Sequence, residues 1–268
     1  MALFHSNFFS ETLGMQCQAE VIVPQQTSER NIGSASVEKR DRWPCVWLLH
    51  GLSDDHTIWT RRTSIERYAE ERGLAVVMPN AHRSFYTDMA HGETYYTFLT
   101  DELPQLMRSF FPLSSRREDN AVAGLSMGGY GAAKWTLDRP DQLLAGVSLS
   151  GVLDLERRMT LLKQEAGEDA QRLKTMRLVL DNKVPEDAPV NLFRLLDMRA
   201  EEDACPPLRV CCGVDDFLYQ DNISFRDYAT SLGISIDYHE GPGAHTWAYW
   251  DQQIVPALDW LIDQGLGK

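Results

Sequence analysis

The chain has 268 residues, 43% of them hydrophobic and 10% aromatic, and a formal net charge of −13. That length admits a sizeable core within one α/β domain. The charge argues against nucleic acid or an anionic membrane surface as partner, because both call for Lys and Arg patches, and no stretch reaches the ~20 apolar residues of a bilayer-spanning helix.

Met1 to Ser10 has no positive n-region and no long apolar h-region, so no secretory leader of the usual form is expected. Five cysteines (Cys17, Cys45, Cys205, Cys211 and Cys212) make an odd set without C-x-x-C spacing. They read as reduced, mostly buried side chains of a cytoplasmic protein. Gln16 to Val23 has strand character and Pro24 closes it. Gln25 to Arg42 is polar and suits a hairpin or surface loop. Cys45 to Leu49 is a continuous apolar run, as expected of a strand buried on both faces. It ends in the turn His50-Gly51-Leu52-Ser53-Asp54-Asp55.

Ser64 to Gly73 reads as a helix with Gly73 as its stop signal. Leu74 to Met78 is a second buried strand. Asn80 to Thr97 is a long loop rich in Tyr, His and Asp, and Leu99 to Phe111 is a helix ended by Pro112. Ala121 to Ala123 is a short strand, followed by Gly124-Leu125-Ser126-Met127-Gly128, a G-x-S-x-G run. Ala132 to Leu137 continues at helical composition until Pro140. Leu143 to Leu149, Leu208 to Cys212 and Ile234 to Tyr238 are further apolar runs, and Thr246 to Ile262 is a closing helix. Strands alternating with helices at this spacing imply a mainly parallel sheet flanked by helices. Val152 to Ala204 breaks the rhythm: it is highly charged, has helical character over Arg157 to Leu180, and is interrupted at Pro185 and Pro189. It is too long for an ordinary connection. We read it as a helical, cap-like insertion over the C-terminal ends of the strands, inside a single domain spanning 1–268.

Strand, tight turn and helix in that order is the context of a nucleophile elbow. The turn must hold Ser126 in a strained conformation so that its hydroxyl stands clear of the sheet. Side chains at Gly124 or Gly128 would crowd strand against helix. A serine nucleophile needs a base, and the base an orienting acid. Two histidines lie downstream of Ser126. His239 sits within an alternating strand-like run. His245 follows Gly241-Pro242-Gly243-Ala244, a loop able to carry an imidazole over the strand ends, and is the candidate base. The loop after Leu208 to Gly213 offers Asp215 and Asp216; its geometry favours Asp216, and either could cap the helix starting near Tyr219. The oxyanion hole calls for two backbone N–H groups. Met127 and Leu52 are the candidates. His50 reads as a structural hydrogen-bonding group. His82 and His91 flank Tyr86, Asp88 and Glu93, but the spacing matches no dense ligand motif, and no metal is expected. Phe85, Tyr86, Tyr95, Tyr96 and Trp247 are candidates for lining a substrate pocket, Tyr86 and Trp247 foremost, beside the plain alternative that half of them are packing. No phosphate-binding glycine loop is present.

With these residues in place the chain resembles the esterase D family of α/β hydrolases, and within it the bacterial tributyrin esterase branch. The likeness is carried by His50-Gly51-Leu52-Ser53, Tyr86 to Met89, Gly92, Gly124 to Gly131, Ser150-Gly151, Gly213 to Tyr219 and His245 to Trp250. The resemblance implies an α/β-hydrolase fold, Ser126 as nucleophile, Asp216 rather than Asp215 as acid and His245 as base. It further implies small-molecule substrates, namely short-chain acyl esters and sometimes acylated sugars, with no cofactor. Related esterases often self-associate, so a homo-oligomer is open. The related S-formylglutathione hydrolases usually carry histidine before the nucleophile and cysteine in the oxyanion turn. Here those positions are Leu125 and Ser53, which speaks against the thioester. A serine carboxylesterase is therefore expected. The alternatives are a thioesterase, an acyltransferase on the same triad, and a non-catalytic binding protein on this fold.

Overall fold

The computed structural model describes residues 1–25, 40–164, 170–181, 184 and 190–268. Most of the loop expected over Gln25 to Arg42, and the interruption at Pro185 and Pro189, fall outside these residues. Eight strands form one sheet: β1 (Ala2–Ser10), β2 (Met15–Val23), β3 (Cys45–Leu49), β4 (Ala75–Pro79), β5 (Asn120–Leu125), β6 (Ala145–Leu149), β7 (Leu208–Gly213) and β8 (Asp237–Gly241). Their order is β1-β2-β4-β3-β5-β6-β7-β8. β1 and β2 run antiparallel to their neighbours; β3 to β8 are parallel.

Helices α1 (Ile58–Arg62), α2 (Ile65–Glu70), α3 (Tyr95–Thr97), α4 (Leu103–Phe110), α5 (Met127–Asp138), α6 (Leu155–Gln164), α7 (Ala170–Leu180), α8 (Leu192–Glu201), α9 (Tyr219–Ser231) and α10 (Trp247–Asp263) complete the chain. Every residue of β3, β4, β5, β6 and β7 is buried, which explains their unbroken apolar runs. Alternate side chains of β3 enter opposite cores. Trp47 and Leu49 join the layer that holds α5 and α9, while Val46 and Leu48 join the layer that holds α2 and α10.

The strand order dictates where a site can form. From β3 the chain moves to β4 on one side, and β5 pairs β3 on the other. This is the switch point at which loops leave a parallel sheet in opposite directions and open a crevice beyond the strand C-termini. The loops after β3 and β5 hold Leu52 and Ser126 respectively.

Two elements depart from expectation. β1, the edge strand, was not foreseen. The apolar run Ile234 to Tyr238 is not a strand throughout; β8 starts at Asp237. Ile234 instead closes α9. Its N–H donates to Ala229 O, and the Gly233 N–H, at φ +77°, donates to Thr230 O. This is a Schellman ending, in which the residue after the left-handed glycine packs back on the helix.

Within the 152–204 region the described residues form the three helices α6, α7 and α8. Arg157 and Arg158 of α6 both pair with Asp221 of α9, at 2.6 and 2.9 Å, and the Asp221 side chain is fully buried. The C-terminal end of α7 accepts hydrogen bonds from Ala90 N and His91 N. α6 is thereby tied to α9, and α7 to the loop that follows β4.

Candidate active site

Ser126 has φ 55° and ψ −116°, a conformation that costs on the order of 1–3 kcal/mol for a residue with a Cβ. Neighbouring backbone holds it there: its N–H donates to Leu149 O at 2.9 Å, and its carbonyl accepts from Tyr130 N at 3.0 Å. A Cβ at Gly124 would run into the Gly128 carbonyl, and one at Gly128 into the Leu49 carbonyl. Both obstacles are backbone and cannot swing aside. Gly128→Ala should destabilise the fold by about 1–3 kcal/mol, the range for overpacking. A urea midpoint within error of the wild type would contradict that close approach.

The imidazole of His245 lies 3.0 Å from Ser126 Oγ through Nε2, and 2.9 Å from Asp216 Oδ2 through Nδ1. The Asp216 side chain is fully buried and that of His245 is 18% exposed. Asp216 Oδ1 also accepts from Leu218 N at 2.9 Å, which fixes the plane of the carboxylate. Asp215 is exposed and stands outside this chain of bonds. The three residues chosen from sequence are thus brought together, although they lie 90 and 29 positions apart along the chain.

Leu52 and Met127, the candidate oxyanion donors, line the same cavity as Ser126 and His245. Met127 is the first residue of α5, so its N–H is one of the four that a helix leaves unpaired. The turn bearing Leu52 is anchored by His50. That ring is 1% exposed; Nδ1 is 2.7 Å from Gly51 O, and Nε2 accepts from Ala81 N at 3.0 Å. One nitrogen must then donate and the other accept, which is the neutral imidazole. Burial pushes its pKa down to about 4. His50 is structural, as its position before the glycine suggested.

Tyr86 is a correction. It does not line the pocket: it is fully buried, its hydroxyl donates to His50 O at 3.0 Å, and its carbonyl accepts from Lys134 Nζ at 3.2 Å. Phe85 and Tyr86 both adopt positive φ (53° and 50°), a tight reversal that gives the cavity wall to Phe85 and sends Tyr86 under the oxyanion turn. Such a reversal leaves no mark in aromatic composition. Trp247 does line the cavity, packed edge-on to Trp59 and Trp250. Tyr95 and Tyr96 are buried, and Tyr95 lines a second cavity beside the first. His82 packs against Tyr95, and His91 Nε2 lies 2.8 Å from Asp181 Oδ1. Among the described residues no group of three or more His, Cys, Asp or Glu is placed to hold a metal ion.

Sequence reasoning missed two neighbours of the imidazole. The Phe217 ring lies 4.6 Å from that of His245, with Arg158 and Arg172 over it, and Trp250 meets His245 edge-on at 4.8 Å. Phe217 directly follows the acid, and that adjacency was the available signal. The cavity has a volume of about 850 Å³.

Residues 29–261 match the Esterase family, described as "Putative esterase". The chain belongs to this esterase family. It is 27% identical over 264 residues to an acetyl esterase of Caldicellulosiruptor saccharolyticus, covering 97% of this chain and 98% of the relative. Among solved structures it is similar to the fluorophosphonate-binding serine hydrolase F of Staphylococcus aureus, with 38% identity, 97% and 98% coverage and a TM-score of 0.85. An S-formylglutathione hydrolase from Staphylococcus aureus also matches at 38% identity over 97% and 98%, with a TM-score of 0.81. A mycolyltransferase, Ag85B of Mycobacterium avium, is 28% identical over 79% of this chain and 72% of its own. The family match, the acetyl esterase and the two staphylococcal structures are of the esterase D type, with the α/β-hydrolase fold, and the present chain is an enzyme acting on ester bonds. Among the described residues no helix is long and apolar enough to cross a membrane.

Proposed function

We propose that this esterase is a serine carboxylesterase for short-chain acyl esters, of the tributyrin and acetyl esterase kind. The reading rests on one observation, the unbroken path of hydrogen bonds from Ser126 Oγ through the His245 ring to Asp216 on the wall of a large cavity. Ser126 Oγ attacks the ester carbonyl while His245 Nε2 takes its proton. The carbonyl oxygen becomes an oxyanion held by the Leu52 and Met127 N–H groups, each such donor contributing about 3 kcal/mol in the transition state. His245 passes the proton to the departing alcohol, and the acyl group stays on Ser126. Water then repeats the sequence: His245 takes a proton from it, its oxygen attacks the acyl carbon, and Ser126 leaves with that proton. Asp216 holds the Nδ1–H tautomer and offsets the charge that His245 gains.

The preference for a short acyl group draws support from the acetyl esterase that matches nearly the whole chain. A second reading, thioester hydrolysis, draws support from the S-formylglutathione hydrolase neighbour. Comparing kcat/KM on an acetyl ester and on S-formylglutathione separates the two. The test common to both is covalent labelling. A fluorophosphonate should modify the folded protein at one residue, Ser126, read by peptide mass spectrometry, and Ser126→Ala should abolish both label and turnover. Folded protein that turns over esters without labelling at Ser126 would sink the mechanism.

A further inference from the structure

A second cavity of about 580 Å³ adjoins the first; Leu52, Ser53, Asp54, Arg83 and Gln171 line both. His245, the group that must protonate the departing alcohol, lines the first cavity and not the second. The alcohol half of a bound ester therefore faces the His245 and Trp247 wall. The space beyond Leu52 is open to the acyl half.

The chemistry of that space is unusual for a chain of charge −13. Helix α7 borders both cavities, with Lys174 on the second and Arg172 on the first, and has no acidic residue from 170 to 180. Lys174 is exposed and lines the second cavity. Half-buried Arg83 stands where the two cavities meet. Its Nε donates to Thr175 Oγ1 at 3.1 Å, which steadies the guanidinium through a neutral partner, and among the described residues no carboxylate pairs with it. A guanidinium held at Nε still presents its two terminal nitrogens, the edge that matches a carboxylate in a two-pronged bond. The opposing carboxylates are Asp54, whose pKa burial raises, and the exposed Glu93.

The geometry points to a subsite for an anionic acyl tail: Arg83 and Lys174 receive the free carboxylate of a short dicarboxylic half-ester whose ester end lies at Ser126. This assignment presupposes that Ser126 turns over esters, so its test is a ratio of two substrates and stands apart from activity itself.

The experiment compares kcat/KM for mono-4-nitrophenyl glutarate with that for its methyl ester, which has the same five-carbon chain and no charge, after subtracting spontaneous hydrolysis. The anion should be favoured by more than tenfold at low ionic strength, and the ratio should shrink in 0.5 M salt as screening shortens the reach of the charges. Arg83→Gln should bring the ratio below threefold, Lys174→Gln should lower it in part, and Arg83→Glu should turn it against the anion. The exposed Lys174 position keeps the test open if the Arg83 variants fold poorly. A ratio near one in the wild type overturns the assignment. So does a preference that survives both substitutions, or one found only when the charge sits on the alcohol half, measured with 4-acetoxybenzoate against its methyl ester. Loss of turnover on every ester would instead count against the serine esterase mechanism.

Discussion

Asp216→Asn is expected to lower kcat by about 10³–10⁴-fold with little change in KM, while Asp215→Asn stays within twofold of the wild type. The magnitude is that of the same exchange in a serine protease triad. The local geometry says why it should apply here. Leu218 N–H donates to Asp216 Oδ1, so an asparagine must keep its oxygen at that position and place its amide nitrogen where Oδ2 was. That nitrogen would face His245 Nδ1 at about the 2.9 Å now spanned by Oδ2. Oδ1, 3.0 Å from Nδ1, is then the one acceptor left beside the ring and is already engaged by Leu218 N–H, so an N–H aimed at Nδ1 favours the proton on Nε2, where the imidazole can no longer accept from Ser126. The exposed Asp215 offers a control, since its side chain stands outside the path of bonds. Steady-state kinetics on a short acetyl ester decide the matter. A loss below tenfold for Asp216→Asn would mean that His245 is oriented by something else.

The parts of this site that were legible in the sequence are those where chemistry restricts residue type. Ser126 was marked by glycines whose absent side chains let β5 and α5 approach. His245 was marked because few histidines follow the elbow and one of them lies in a Gly-Pro loop. The choice of Asp216 over Asp215 leaned on the resemblance as well, because the two neighbours have the same chemistry and differ only in which one the turn buries. The β3 to β7 core was legible for a similar reason: strands buried on both faces leave continuous apolar runs. β1 was not, since an edge strand with one solvated side needs no such run. Ile234 misled because an apolar residue that closes a helix looks like one that opens a strand. Tyr86 misled because a two-residue reversal with positive φ decides which of two adjacent aromatics faces the cavity, and neither residue type announces it.

Lys134 is a buried lysine with no salt-bridge partner among the described residues, and its signature should be a pH dependence of stability. The side chain lies on α5, is 1% exposed, donates to Tyr86 O and sits 3.6 Å from the centre of the Tyr96 ring. Burial pushes its pKa from an ordinary 10.5 down to about 7, against the pull of Asp138 and Asp88. Below pH 7 folded and unfolded chains both hold the proton, and the folded chain carries a buried cation. Between pH 7 and 10.5 the folded lysine is neutral while the unfolded one is still protonated. Unfolding then takes up a proton, so the free energy of unfolding rises with pH in that window. Lys134→Met keeps the length and removes the titration. The stability of wild type minus variant, from urea unfolding, should therefore move in favour of the wild type by roughly 3 kcal/mol between pH 6 and 9.5, at ~1.4 kcal/mol per unit. A difference independent of pH would mean that the Tyr96 ring face and Asp138 keep the ammonium charged throughout. The same comparison reaches the site, because the Tyr86 carbonyl that Lys134 holds belongs to the residue whose hydroxyl anchors His50 behind the oxyanion turn.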